Sequence, residues 1–191
     1  MSAYNIIAAS NESTVVAEHT PESSRSESFQ SEAALEKEFI RLLTEQGYAY
    51  LSIHDEAGLI ANLRQQLELL NDYPFTDNEW QRFFHEILAN ANEGIMEKSR
   101  TIQTDHVKVL QRDDGTTKNI QLIDKKNVHN NRLQVINQYE NGKENGAAYD
   151  NRYDVSILVN GLPLVHVELK RRGVAIREAF NQIKRYQRDS F

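Results

Sequence analysis

The sequence of 191 residues contains no cysteine. A fold held together by disulfides and a zinc site built from thiolates are therefore both excluded. No apolar run approaches the roughly 20 residues that a membrane-spanning helix needs, and no signal peptide is recognisable at the start of the chain. We therefore expect a cytoplasmic protein that does not insert into membranes.

Several catalytic motifs are also missing. The six histidines are scattered and form neither H-x-x-x-H nor H-E-x-x-H, which argues against a zinc hydrolase. The sequence has no G-x-x-x-x-G-K-[ST], no G-x-G-x-x-G and no G-x-S-x-G. It therefore gives no sign of a phosphate-binding loop, a dinucleotide site or a nucleophilic serine. With 39% apolar and 26% charged residues, the composition is that of an ordinary globular domain.

The charge is distributed unevenly along the chain. The net charge is −6, but residues 168–191 carry seven Lys or Arg against three acidic residues, a local charge of +4. The remaining residues therefore carry −10. A basic end on an acidic body predicts a confined anion-binding surface, although a solvated basic helix face would show the same pattern.

Two regions differ in composition. Residues 1–30 are rich in Ser, Thr and Glu and predict a loosely ordered arm with one strand. Residues 31–191 predict one domain, which opens with a helix over 31–46 whose apolar residues recur at helical spacing. Ser31 is its expected N-cap and Gly47 its expected stop. At ~100° per residue, Glu36 falls at the edge of the apolar stripe and so points toward the core.

The middle of the chain alternates between helical and extended patterns. We expect a short strand at 48–53, a helix at 59–70 and a strand at 133–139. Thr76 and Glu79 have capping-box spacing and open a further helix. The aromatic residues of that helix are expected to be core rather than a platform for stacking bases: Trp80, Phe83 and Phe84. Asp113-Asp114-Gly115 predicts a turn between two strands.

A β-hairpin is the strongest local signal. Apolar residues alternate on both sides of Asn160-Gly161, at 155, 157 and 159 and again at 165, 167 and 169. A strict two-residue turn would carry its register along the hairpin and place Asp154 on the apolar face. A shift of one residue pairs apolar with apolar and sets Asp154 opposite Glu168, so we predict a three-residue turn or a bulge beside the Asn-Gly turn.

Two opposed carboxylates have a chemical consequence. At ~5 Å between their Cβ atoms, Asp154 and Glu168 repel each other unless a positive charge lies between them. A divalent cation is the natural solution, and oxygen ligands favour Mg²⁺. Lys170 lies on the same face and can hold a phosphate or orient a water. The alternative is an ordinary hairpin with a solvated charged face.

A helix over 174–188 is predicted after the hairpin. Gln182 and Tyr186 are four residues apart and therefore share a face. Lys184 and Arg185 add positive charge beside them. Such a face can contact the phosphates and sugars of DNA without reading bases, although a solvated helix would present the same residues.

These motifs together resemble a known superfamily of nucleases. The order Asp154, Glu168-Leu169-Lys170 and Gln182-x-x-x-Tyr186 resembles the PD-(D/E)xK nucleases that carry the QxxxY extension, with Tyr153 in place of the proline. Over roughly residues 28–191 the chain more narrowly resembles the N-terminal endonuclease domain of the R (motor) subunit of type I restriction enzymes. The segments that carry this likeness are Leu35-Glu36 to Gly47-Tyr48, Leu122-Ile123-Asp124 with Asn131 to Gln138, and Arg152 to Lys170.

The resemblance implies a fold and a metal site. The expected architecture is an α/β fold in which helices flank a central mixed β-sheet, the restriction-endonuclease-like core. Asp154, Glu168 and the backbone carbonyl of Leu169 would bind Mg²⁺. Lys170 would position or activate the attacking water and stabilise charge on the scissile phosphate, and Glu36 would help to hold metal or water.

The resemblance also implies a substrate and partners. The DNA-binding residues would be Gln182, Tyr186, Arg185 and Lys184, and the substrate would be double-stranded DNA, cut to leave a 5′-phosphate. ATP would be used only by motor domains that this sequence does not contain, so we expect a truncated endonuclease domain. Separate specificity and methylation subunits would complete the complex. By alternation along its strand, His166 shares the predicted face of the carboxylates, where we expect it to be a bystander.

Two other functions stay open at this point. The chain could be a non-catalytic module that binds or docks on DNA, with structural carboxylates. It could also be a stand-alone repair nuclease or resolvase on the same PD-(D/E)xK core.

Overall fold

The computed structural model describes residues 3–9, 15–20, 31–90, 92–141, 151–171 and 176–189. The chain divides into two units, 1–30 and 31–191. In the first, strands β1 (Ala3–Ala9) and β2 (Val15–Thr20) form an antiparallel hairpin with an irregularity between Ile6 and Ala8. The expectation of a single strand in this arm was wrong, because its two short apolar runs pair with each other.

A four-stranded mixed sheet forms the centre of the second unit. Its order is β3 (Ala49–Tyr50), β6 (Leu133–Asn141), β7 (Asn151–Val159) and β8 (Leu162–Val167). β3 runs parallel to β6, and the other pairs are antiparallel. The expected α/β class with a mixed sheet is confirmed.

The β7–β8 hairpin has the predicted register. Val155 pairs with Val167 and Ile157 pairs with Val165. The turn itself contains two residues, Asn160 and Gly161, both with positive φ (51° and 81°), as a type I′ turn requires. The register shifts by one residue beyond Ile157, which is the bulge beside the turn that matching of the apolar residues predicts.

The first three α-helices begin at side-chain caps. α1 (Glu32–Glu45) is capped by Ser31, α2 (Glu56–Asn71) by Asp55, and α3 (Asp77–Phe83) by the Thr76–Glu79 capping box. A π-helical turn, Phe84–Leu88, continues α3. Three further elements are α4 (Ile95–Thr104), the 3₁₀ helix Val128–Asn130 and α5 (Ile176–Asp189).

Two apolar clusters hold these elements together. The larger one joins α2, α3 and the separate β4–β5 hairpin (Val107–Gln111 and Thr117–Gln121). Trp80 and Phe83 are buried in it and Phe84 packs against it, so their assignment to the core is confirmed. The smaller cluster packs α1 on the central sheet through Leu43, Val135 and Val155. This second cluster fixes α1 beside the hairpin that carries the candidate site.

The Asn-Gly turn packs against the backbone of α2, which yields a stability prediction. A Cβ atom at Gly161 would lie 2.6 Å from Leu63 Cα and 3.0 Å from Leu63 N. Gly161→Ala adds this clash to the left-handed strain, so we expect a loss of about 2–4 kcal/mol in the free energy of unfolding. Urea denaturation followed by the fluorescence of Trp80, the only tryptophan, measures it.

A matched control separates the clash from the strain. Gly115 has nearly the same φ (83°), but a Cβ atom added there would meet no other atom within 4 Å. Gly115→Ala should therefore lose only about 1 kcal/mol. Equal losses in the two variants would contradict the proposed contact between the turn and α2.

Candidate active site

An open pocket of about 390 Å³ lies where the N-terminal part of α1 meets β6, β7, the end of β8 and α5. Four of the residues proposed for catalysis line it together: Glu36, Asp154, Glu168 and Lys170. The other lining residues are Glu32, Ala33, Gln138 and Gln182. Residues from distant parts of the sequence thus share one cavity.

Asp154 on β7 contacts the residues that follow the end of β8. β8 ends at Val167, so residues 168–170 leave the ladder of backbone hydrogen bonds. The N–H of Leu169 instead donates to Asp154 Oδ2 at 2.9 Å. This bond ties the β7 carboxylate to the Glu168–Lys170 segment.

Glu168 is a buried carboxylate with one satisfied oxygen. Its side chain is 3% exposed, and its Oε1 accepts from Lys170 Nζ at 2.5 Å. The other oxygen, Oε2, is buried without a hydrogen-bond partner. Burial raises the pKa of Glu168, and the nearby charge of Asp154 raises it further, against the opposing effect of Lys170. The pocket lining carries four acidic residues against one lysine.

Lys170 is the positive charge of the pocket. Burial alone lowers the pKa of its ammonium group, but the hydrogen bond and charge of Glu168 outweigh that effect, so the pKa lies above its ordinary value. Glu32 and Asp154 act in the same direction. Lys170 is therefore a stable cation at neutral pH and cannot serve as a proton acceptor there.

Glu36 reaches the pocket from α1, as its place on the helix predicted. Asn137 Nδ2 donates to Glu36 Oε1 at 2.5 Å, and Gln138 Nε2 donates to Oε2. Behind them, the Tyr50 hydroxyl donates to Asn137 Oδ1 at 2.9 Å. These three residues were not predicted from the sequence, although two adjacent amides inside a strand pattern were a visible signal.

The two faces of the hairpin do not alternate strictly near the site. Asp154 lines the α1 pocket, and its neighbour Val155 packs in the α1 cluster. Tyr153 instead stacks on His166, with ring centroids 4.3 Å apart. His166 Nδ1 lies 2.7 Å from Ser156 Oγ and is not among the residues that line the pocket. The expectation that His166 shares the face of the carboxylates was wrong.

Among the four residues expected to bind DNA, the structure describes the side chain of one. Gln182 lines the pocket. Lys184, Arg185 and Tyr186 belong to α5, but their side chains lie outside the described residues.

The donor set fits a divalent cation held by two carboxylates. Within the described residues, no group of three or more His, Asp or Glu side chains is placed to hold a metal ion. Asp154 and Glu168 can supply two oxygens, and no hydrogen bond competes for Oε2 of Glu168. Carboxylate pairs completed by water and phosphate oxygens are the usual surroundings of Mg²⁺.

Fold and site together define a class of protein. A mixed sheet flanked by helices, with an acidic pair and a lysine at a strand end, is an α/β restriction-endonuclease-like fold. The chain belongs to the family described as the N terminus of the type I restriction enzyme R protein, which it matches over residues 29–191.

In the described part of the chain, no helix has both the length and the apolar character needed to cross a lipid bilayer.

Relatives support this assignment. The chain is 47% identical over 186 residues to the type I restriction enzyme EcoprrI endonuclease subunit of Escherichia coli, an alignment that covers 97% of this chain and 58% of that protein. It is 39% identical over 169 residues to the SsaAORF53P endonuclease subunit of Staphylococcus saprophyticus. It is 40% identical over 168 residues to the SauMSSORF170P endonuclease subunit of Staphylococcus aureus. Each staphylococcal alignment covers 85% of this chain and 17% of the relative.

Proposed function

We propose that this chain is the Mg²⁺-dependent endonuclease domain of a type I restriction R subunit and hydrolyses phosphodiester bonds of double-stranded DNA. The observation that carries the proposal is the meeting of Asp154, Glu168 and Lys170 in one pocket, with a buried Glu168 oxygen left for a cation. A buried carboxylate oxygen without a hydrogen-bond partner lowers stability, and a bound cation would offset that cost.

Each pocket residue has a role in this reaction. Asp154 and Glu168 would hold Mg²⁺, with the backbone carbonyl of Leu169 as a further ligand. A bound Mg²⁺ ion would stabilise negative charge and lower the pKa of a coordinated water. Lys170, fixed as a cation, would stabilise charge on the scissile phosphate and orient the attacking water. Glu36 would accept a hydrogen bond from water in the pocket.

The products follow from the bond that breaks. A water oxygen attacks phosphorus in line with the leaving oxygen, and the bond between phosphorus and the 3′ oxygen breaks. The phosphate therefore stays on the 5′ oxygen of the downstream fragment, and the leaving 3′ oxygen of the upstream fragment takes a proton to become a hydroxyl. Gln182, Lys184, Arg185 and Tyr186 of α5 would align the DNA backbone.

The proposed setting is a larger assembly. The chain spans only 58% of the E. coli relative and 17% of each staphylococcal one. We propose that it is truncated relative to a subunit whose motor domains use ATP to translocate DNA before cleavage. Specificity and methylation subunits would complete the complex, in the cytoplasm. Membership in the R protein family favours this setting over a stand-alone repair nuclease.

The dependence of DNA binding on a divalent ion tests the proposal. Two carboxylates beside a phosphate repel DNA unless a cation lies between them, so Ca²⁺ should raise the affinity of the subunit for DNA about tenfold, a gain of about 1.4 kcal/mol. Fluorescence anisotropy at fixed ionic strength measures it. With Mg²⁺ and ATP in the assembled complex, the same DNA should be cut.

Glu168→Gln is the informative variant. It should bind DNA equally with and without Ca²⁺, while Glu178→Gln, an exposed residue of α5, should respond like the unaltered subunit. A steep dependence on salt with no effect of Ca²⁺ in the unaltered protein would instead identify a non-catalytic docking module.

A further inference from the structure

The carboxylate of Glu36 is held on both oxygens by adjacent amides of β6. Asn137 donates to one oxygen and Gln138 to the other. Tyr50, on the neighbouring parallel strand β3, in turn donates to Asn137. A glutamate on a helix surface otherwise samples several rotamers, and two donors that converge on it remove that freedom.

The backbone of β6 departs from regular strand geometry, and this departure lets both amides reach Glu36. Successive residues of a strand point to opposite faces, so Asn137 and Gln138 could not both reach α1 from a regular strand. Gln138 has φ 54°, in the left-handed region that residues other than Gly, Asn and Asp seldom adopt. The ladder with β7 keeps its register on either side, with Asn137 opposite Val155 and Tyr139 opposite Tyr153. The distortion is therefore confined to the position that faces the pocket.

The geometry points to a specific role, which rests on the proposed function. We propose that Asn137 and Gln138 are positioning residues for Glu36, and that the left-handed backbone at Gln138 is retained because it brings the second amide to that carboxylate. Strained residues of this kind persist where the surrounding structure and the function require them.

Amides suit the task better than a cation would. A lysine or arginine against Glu36 would form an ion pair and offset its charge. Neutral donors fix the carboxylate and leave its charge available to a water in the pocket. Glu36 does not join Asp154 and Glu168 in a group of three metal-binding side chains within the described residues. In this proposal the carboxylate of Glu36 holds a water of the pocket, beside the two carboxylates that hold the metal.

A double-mutant cycle tests this inference in the complete restriction complex. Gln138→Met keeps the length of the side chain but removes the donor, and it should lower the kcat of DNA cleavage about 10–100-fold. Glu36→Gln should lower it at least as much. If Gln138 acts through Glu36, the double variant should be no slower than Glu36→Gln alone. Losses that simply multiply would overturn the positioning role.

Stability separates positioning from folding. Gln138→Gly removes both the amide and the left-handed strain, so it should lower kcat as Gln138→Met does while leaving the Tm of the subunit unchanged or higher. ATP hydrolysis by the complex should persist in every variant. Normal cleavage by Gln138→Met and Gln138→Gly, with Asp154→Asn inactive, would overturn this inference alone. Normal cleavage by Asp154→Asn would instead overturn the proposed nuclease function.

Discussion

Asp154→Asn should abolish DNA cleavage and at the same time make the metal-free domain more stable. The change removes one of two carboxylates proposed to hold Mg²⁺, so we expect cleavage to fall about 10³-fold or more. The Asn oxygen can still accept the N–H of Leu169, which the aspartate accepts at 2.9 Å. Its amide can also donate to the partnerless Glu168 Oε2. One repulsion is lost and one hydrogen bond is gained.

The two effects are measured separately. Plasmid cleavage and ATP hydrolysis by the assembled complex should diverge, with ATP hydrolysis intact. Thermal unfolding without divalent ions should show a gain of about 1 kcal/mol, with Glu178→Gln as the surface control. Retained cleavage would contradict the metal site. A clear loss of stability would contradict the view that the two carboxylates repel each other in the folded state.

The hairpin shows what the sequence alone could predict. Its register was recoverable because a one-residue slip moves every side chain of a strand to the other face. Matching Val155 with Val167 therefore required an irregularity near Asn160-Gly161, and the structure has one. The place of Glu36 at the pocket was recoverable for a similar reason, because helical periodicity fixes direction within about a quarter turn.

Other features depend on contacts that periodicity does not encode. The left-handed backbone at Gln138 accompanies a hydrogen bond to Glu36, a residue 102 positions away. Strict alternation also failed at Tyr153 and His166, next to that distortion. Helix α4 was missed because it lacks a buried apolar stripe: none of its residues is fully buried. Local pattern thus predicted most of the elements and the pairing of the hairpin strands, whereas the hydrogen bonds around Glu36 required the structure.

Lys170→Met should separate metal binding from catalysis. Methionine keeps most of the apolar stem of the lysine but removes the charge proposed to stabilise the scissile phosphate, so cleavage should fall about 10²–10³-fold. Metal binding should persist or become tighter, because Lys170 Nζ lies 2.5 Å from Glu168 Oε1 and competes with a cation for that carboxylate. This pattern differs from the one expected for Asp154→Asn, in which metal binding is lost together with cleavage.

Thermal shift with Mn²⁺ distinguishes the two variants. At a free ion concentration about ten times Kd, ligand binding stabilises by about 1.4 kcal/mol, or roughly 3–6 °C in Tm for a chain of this size. The unaltered domain and Lys170→Met should both show the shift, and Asp154→Asn should show none. If Lys170→Met lost the shift, Lys170 would be needed to keep Glu168 in place for the ion. If Lys170→Met cleaved DNA at the normal rate, the charge of Lys170 would have no part in the reaction. The ion pair between Lys170 and Glu168 would then serve only to offset a buried carboxylate.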